Sequence, residues 1–280
     1  MKLLKIQLLL LLAGLLSLNS VYAQAQKIKW GKEKIAKGLI WKHAYLESWN
    51  GTSQNINLLE VNLKKRKVKL VYNPEENVIT SQMAKETEAI AAVNAGFFDM
   101  RNGGSVTYIK VDGKILDKDT VGKWQPHDHL NGALLIDQNN AVSVAQQEKD
   151  HRNYNQNPNL RQVLVTGPVL IDDAQLQNLE NPSKFVQNRH PRTCACTVKN
   201  KLYLITIDGR AEEASGMTLP ELQKLLVALG CNEAINLDGG GSTTMWIKDQ
   251  PDNGVVNMPS DNKKFDHRGE RKVSNILIVH

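Results

Sequence analysis

The stretch Ala234-Ile-Asn-Leu-Asp-Gly-Gly-Gly-Ser-Thr-Thr-Met-Trp246 sets the strongest limit on how this chain folds. It opens as a short apolar run, Ala234 to Leu237, which reads as a buried strand. The run stops at Asp238, and three glycines follow. Each glycine costs folding entropy and brings no side chain to a core. Three in a row therefore mark a sharp turn or the close approach of a ligand. Consecutive backbone N–H groups beside Ser242, Thr243 and Thr244 suit an anion, as in other glycine-rich loops. A tight turn beside a buried, satisfied aspartate is the plainer alternative.

A helix precedes this stretch. Thr218-Leu-Pro-Glu221 is a capping box with proline in the first turn. Leu219, Leu222, Leu225, Leu226 and Leu229 recur at helical spacing, and Gly230 stops the helix. Leu202 to Ile207, before the helix, is an apolar strand ending at Asp208-Gly-Arg210. Strand, helix and strand form a unit whose two strands run parallel. Their C-terminal ends then share one edge, where ligands bind in open sheets. Asn94-Ala-Gly-Phe-Phe98 follows the small apolar run Ala89 to Val93 and is expected at the same edge.

The rest reads as strands and loops. Residues 24–37 are polar and expected to be loose. Leu39 to Tyr45 and Gln54 to Leu63 are strands with one wet face. Thr80 to Glu88 is a short helix capped by Thr80 or Ser81. Val106 to Leu116 is a hairpin about Asp112-Gly113, and Ala133 to Ala145 is another. Residues 117–131 form a polar loop carrying His127 and His129, and Gln175 to Glu180 reads as a helical turn. Val273 to Val279 is the closing strand. The fold class expected is α+β: one domain with a mixed β-sheet core, the strand–helix–strand unit and flanking helices.

Residues 1–23 carry Lys2 and Lys5, an apolar run from Leu8 to Leu16 and Val21-Tyr-Ala23. This is a secretory leader cut after Ala23, too short to span a bilayer, so the protein is expected to be secreted or periplasmic. Residues 24–57 are read as an N-terminal segment with the first strands. The formal net charge is +6 and its basic residues are scattered. The exception is Lys64-Lys-Arg-Lys67, read as a solvated strand face, so nucleic acid is not an expected partner. Three cysteines exclude full internal pairing. Cys194 and Cys196 point to one face, and either Cys231 bridges to one of them or all three are buried thiols. No metal-ligand spacing is present, and no cofactor is expected.

Asp208, Asp238 and the arginines suit chemistry on a phosphorylated sugar. Arginine grips phosphate with a bidentate fork, and paired carboxylates serve glycoside cleavage. Ser242 lacks the Gly-x-Ser-x-Gly elbow, and the loop lacks the Gly-Lys ending of a P-loop.

Asn94-Ala-Gly-Phe-Phe98, Arg189-His-Pro-Arg-Thr193, Asp208-Gly-Arg210, Ser215-Gly-Met-Thr218 and Asn236-Leu-Asp-Gly-Gly-Gly-Ser-Thr243 resemble the phosphodiester glycosidase family. So do Val256-Asn-Met-Pro-Ser260 and Glu270-Arg-Lys-Val-Ser274. The resemblance runs from about Leu58 to the C-terminus. It implies hydrolysis of a sugar-1-phosphodiester, such as a GlcNAc-1-phosphodiester in envelope or exopolysaccharide glycans. It implies catalytic roles for Asp208, Asp238 and Glu270. Asn94, Gly96, Phe97, Arg192, Thr193, Arg210, Gly239, Gly240, Gly241, Ser242, Thr243 and Asn257 are the implied substrate and phosphate contacts. Cys196 stands where the family pattern has glycine. A phosphodiesterase cleaving the P–O bond and a non-catalytic glycan-binding module are the competing readings.

Overall fold

The computed structural model describes residues 28–116, 130–146, 152–179 and 183–280. The expected leader and the His127/His129 segment lie outside them. Among the described residues the chain is mostly strand, in four sheets.

The largest sheet is organised by β1 (Gly31–Ala36), β2 (Leu39–Trp49), β3 (Thr52–Asn62), β15 (Lys201–Ile207), β14 (Arg192–Val198), β16 (Glu233–Asn236), β12 (Val169–Asp172) and β13 (Gln175–Leu176), in that spatial order. A second sheet holds β10 (Val142–Gln146), β9 (Gly132–Asp137), β11 (Leu160–Thr166), β7 (Ile109–Val111) and β8 (Lys114–Ile115). The third has β17 (Met245–Ile247), β6 (Ala91–Asn94), β19 (Asn275–Val279) and β4 (Val68–Tyr72). A two-stranded ribbon pairs β18 (Lys272–Val273) with β5 (Val78–Ile79).

Every described pairing is antiparallel, which corrects the expected mixed sheet. The strand–helix–strand unit explains how. Helix α4 (Leu219–Ala228) links β15 to β16, and the two run the same way, but β14 lies between them and pairs antiparallel with both. Register puts Arg192 opposite Ile207 and Cys194 opposite Asn236. The ends of β15 and β16 and the start of β14 therefore share one edge. Both bonds of the Thr218–Glu221 capping box are present on α4.

Two cores flank the large sheet. Leu59, Val61, Ala195, Leu202, Leu204 and Ile235 face Val93, Leu134, Leu164 and Leu277 of the smaller sheets. Ile56, Leu58, Cys194, Ile205 and Ile207 face Leu222, Leu225 and Leu226 of α4. Residues 56–61 are buried on both faces, so the wet face expected for β3 does not exist there. That double burial explains the imperfect alternation of its sequence. Helix α1 (Thr80–Glu86) packs Met83 and Ala84 on Ala92, Ile276 and Ile278 of the third sheet. Two further short helices, α2 (Arg152–Gln156) and α3 (Lys184–Gln187), lie in connections.

Three other expectations change. Residues 31–36 are strand, because β1 pairs with β2. Gln175–Leu176 is a strand, paired with β12, and not a helical turn. Ile79 is the N-cap of α1, with no side-chain cap bond from Thr80 or Ser81.

Cys196 and Cys231 form a disulfide, which settles the open pairing, and Cys194 is a buried free thiol. The bridge joins β14 to the residue after α4, 35 positions apart. A loop of that length restricts the unfolded chain by about 3–4 kcal/mol. The Cys196→Ser/Cys231→Ser variant is expected to lose about that much stability, read as the shift in free energy from urea unfolding curves under oxidising conditions.

Candidate active site

Asn94, at the end of β6, is fully buried where two sheets meet. Its Nδ2 donates to the Asp238 carbonyl at 2.6 Å, and its Oδ1 accepts from Thr193 Oγ1 at 2.7 Å and the Thr244 N–H at 3.1 Å. One amide thus ties β6 to β14 and to both ends of the glycine loop. Gly96 donates its N–H to Asn275 Oδ1.

The loop turns tightly over Gly240–Ser242. The Gly239 N–H donates to the carboxylate of Asp238 at 2.9 Å, and the Gly240 N–H to the Pro191 carbonyl at 2.9 Å. Two of the three glycine amides are thus engaged within the protein, and the Gly241 N–H makes neither of these bonds. Two guanidinium groups stand over the loop. A Cβ added at Gly240 would lie 2.9 Å from Nη2 of Arg210, and one at Gly241 would overlap Nη2 of Arg271. Gly240 also has φ +62°, a conformation that favours glycine. The glycines therefore make room for arginine side chains as well as for the turn.

Asp238 is half-buried at the foot of this loop. Burial raises its carboxyl to about 6, against the opposing influence of the Ser242 hydroxyl, Arg271, the Gly239 amide and Arg210. Arg271 is also gripped by Asp261, through Nε at 3.0 Å and Nη2 at 2.5 Å. Arg210 is exposed.

Asp208 is different. It is 0 % exposed. Its Oδ1 accepts from Asn257 Nδ2 at 2.8 Å, and its Oδ2 from Asn55 Nδ2 at 2.7 Å and the Met258 N–H at 3.0 Å. Burial raises it to about 6 as well, with the Asn257, Met258 and Asn55 bonds and the charge of His267 acting the other way. Asn257 also donates to the Thr243 carbonyl at 3.0 Å and accepts from the Met245 N–H at 2.7 Å. It links Asp208 to the far end of the glycine loop.

Other sequence candidates have protein partners. Arg192 is buried, its Nε donating to Met217 O and its Nη2 to Phe185 O and Asn188 O, with the guanidinium over the Phe185 ring. Burial lowers it to about 10. It holds the 185–192 connection in place. Phe97 is half-buried and packs edge-on against Phe185. Glu270 turns to α1, its Oε1 accepting from the Ser81 N–H at 2.9 Å and its Oε2 from Ser81 Oγ at 2.6 Å. Burial holds it above the usual range. A distant carboxylate thus does the capping that the sequence assigned to Thr80 or Ser81.

The structure therefore brings together Asp238, Arg210, the glycine loop and Arg271. Sequence reasoning passed over Arg271, although it sits inside the quoted Glu270-Arg-Lys motif. Alternation along an extended segment sends neighbouring side chains opposite ways, so Glu270 and Arg271 serve different places. Asn55 carried no motif at all. Among the described residues no cluster of three His, Cys, Asp or Glu side chains is placed to hold a metal.

The sequence pattern of phosphodiester glycosidases matches residues 87–280. The chain belongs to the phosphodiester glycosidase family. It is 31% identical over 127 residues to the bovine (Bos taurus) N-acetylglucosamine-1-phosphodiester alpha-N-acetylglucosaminidase, covering 42% of this chain and 23% of that one. It is 25% identical over 168 residues to the SPbeta prophage-derived protein YomE of Bacillus subtilis, covering 59% of this chain and 25% of that one. The chain thus spans about a quarter of the length of these curated relatives. In fold it matches the zebrafish N-acetylglucosamine-1-phosphodiester alpha-N-acetylglucosaminidase catalytic domain, auto-inhibited by its pro-peptide. The TM-score is 0.69 at 21% identity, over 90% of this chain and 87% of that one.

Substitution separates the two aspartates. Asp208→Ala strands two amide groups and one N–H in the interior and is expected to cost on the order of 3 kcal/mol of stability. Asp238→Asn, at a half-open position, is expected to move stability by less than about 1 kcal/mol. Urea midpoints for the two variants check the contrast.

Proposed function

We propose that this protein is an exported hydrolase that cleaves the glycosidic bond of a sugar-1-phosphodiester, of the GlcNAc-1-phosphodiester kind, in envelope or exopolysaccharide glycans. The observation that carries the reading is Asp238, a carboxyl raised to about 6 at a glycine loop flanked by two guanidiniums. A proton donor poised near neutrality beside two phosphate-binding forks suits departure of a phosphate from a sugar. Membership of the family and the activities named for the bovine and zebrafish relatives support the same class of substrate. The leader read at residues 1–23 puts the reaction outside the cytoplasm.

In this mechanism Arg210 and Arg271 take the phosphate oxygens, with the Gly241 amide between them. Protonated Asp238 gives its proton to the bridging oxygen as the C1–O bond breaks. A water oxygen bonds to C1, and the proton it releases returns to Asp238. Free sugar and a phosphomonoester leave. Asp208 serves as an anchor that keeps Asn257 and the 257–258 segment under the loop. Arg192 shapes the loop that carries Pro191, whose carbonyl holds Gly240.

The acid must be protonated to act, so kcat is expected to fall as pH rises through about 6. Asp238→Asn is expected to lower kcat by about 10²- to 10⁴-fold with native circular dichroism. Hydrolysis of a GlcNAc-1-phosphodiester in oxygen-18 water decides which bond breaks. Label in the sugar is expected. Label in the phosphate would assign P–O cleavage instead, and binding without product would make the chain a glycan-binding module.

A further inference from the structure

The outer face of β1, β2, β3 and the start of β15 carries a groove of about 450 Å³, away from the glycine loop. Its floor is Glu60, which is bound on one oxygen by Lys42 and on the other by Lys201. Lys42 also lies 5.6 Å from the centre of the Tyr203 ring. Lys32, Lys34 and Lys65 stand on its rim, and Ala36 and Ile40 supply an apolar wall. Among the described residues none of those three rim lysines has an ion-pair partner. Glu33, the other acid at the groove, accepts from Gln250 Nε2 at 2.8 Å. Five lysines thus meet two glutamates, one of them already shared between two ammonium groups.

We propose that this groove binds an anionic glycan chain: a remote stretch of the same polymer whose sugar-1-phosphodiester is cut at Asp238, which rests on the function proposed above. The kind of cation favours a chain over a single fixed phosphate. Lysine is a hydrated point charge on a flexible stem, whereas the arginines at the glycine loop are rigid forks. Movable charges along a groove suit a ligand whose anionic groups repeat. The apolar wall suits the C–H faces of sugar rings between those groups. Geometry sets the scale. Lys201 begins β15 and Asp208 follows its end, so the groove's Lys201 lies about 23 Å from the strand edge that carries the glycine loop, at the rise of an extended chain. A polymer that reaches both gains from the high effective concentration of its second contact. A single repeat cannot reach both.

The test uses the whole mature protein and poly(N-acetylglucosamine 1-phosphate) as the probe. Binding is measured in the Asp238→Asn background so that turnover does not interfere. Replacing Lys32, Lys34 and Lys65 together by Gln is expected to weaken polymer binding at least about tenfold at low salt, with the gap closing at high salt. The same three positions changed to Arg are expected to keep binding. In the protein with Asp238 intact, the Gln variant is expected to cleave a single-repeat phosphodiester at the wild-type rate, which also shows that it is folded. Unchanged polymer affinity in the Gln variant would overturn the proposal. So would lysine-dependent binding of phosphatidylglycerol vesicles or single-stranded DNA as tight as that of the polymer, which would give the groove a different partner. Binding is read without catalysis. If the wild type released no sugar from any repeat, the function proposed above would fail while lysine-dependent binding would still stand.

Discussion

The side chain of Asn94 is the point on which the site depends. It sits at the end of a strand of one sheet and bonds a threonine in another, together with the backbone at both ends of the glycine loop. Being fully buried, each of these bonds is protected from competition by water, and losing any one leaves a polar group without a partner. Two sheets that share no strand are in this way held at one relative position. The loop that carries Asp238 inherits that position.

Much of this was legible in the sequence where the determinants are local. The capping box at Thr218 and Glu221, the leucine spacing of α4 and the Asp-Gly hairpin each depend on residues within a few positions of one another. The pairing of strands does not. Nothing in Leu202 to Ile207 or Ala234 to Leu237 says that β14 inserts between them, so a parallel unit was expected to imply a partly parallel sheet. The inserted strand leaves the two ends on one edge, so Asp208 and Asp238 each follow a strand that ends there, one enclosed by Asn55, Asn257 and Met258 and the other beside the glycine loop. The face of β3 departs from its sequence pattern for a related cause: burial on its second side comes from α4, more than a hundred and fifty residues downstream.

Residue type alone also fails to say what a charged group is bonded to. Arg192 and Arg271 look alike in sequence. Arg192 has backbone carbonyls around it, and Arg271 has an aspartate on one edge and the glycine loop on the other. Asp208 and Asp238 are both raised by burial to about the same value, yet one is enclosed by three donors and the other stands half-open beside two cations. Position in the hydrogen-bond network, and not acidity, distinguishes the enclosed aspartate from the accessible one.

The bridge between Cys196 and Cys231 closes a covalent ring around β15, the Asp208-Gly-Arg210 turn and α4. Glu212 and Glu213, within that ring, are exposed. A protease that cut there would open the ring without releasing either piece. The nicked protein would run as one chain until a reductant was added and as two afterwards. In a setting rich in proteases, Asp208 and Arg210 would stay attached to the strand edge from which they project.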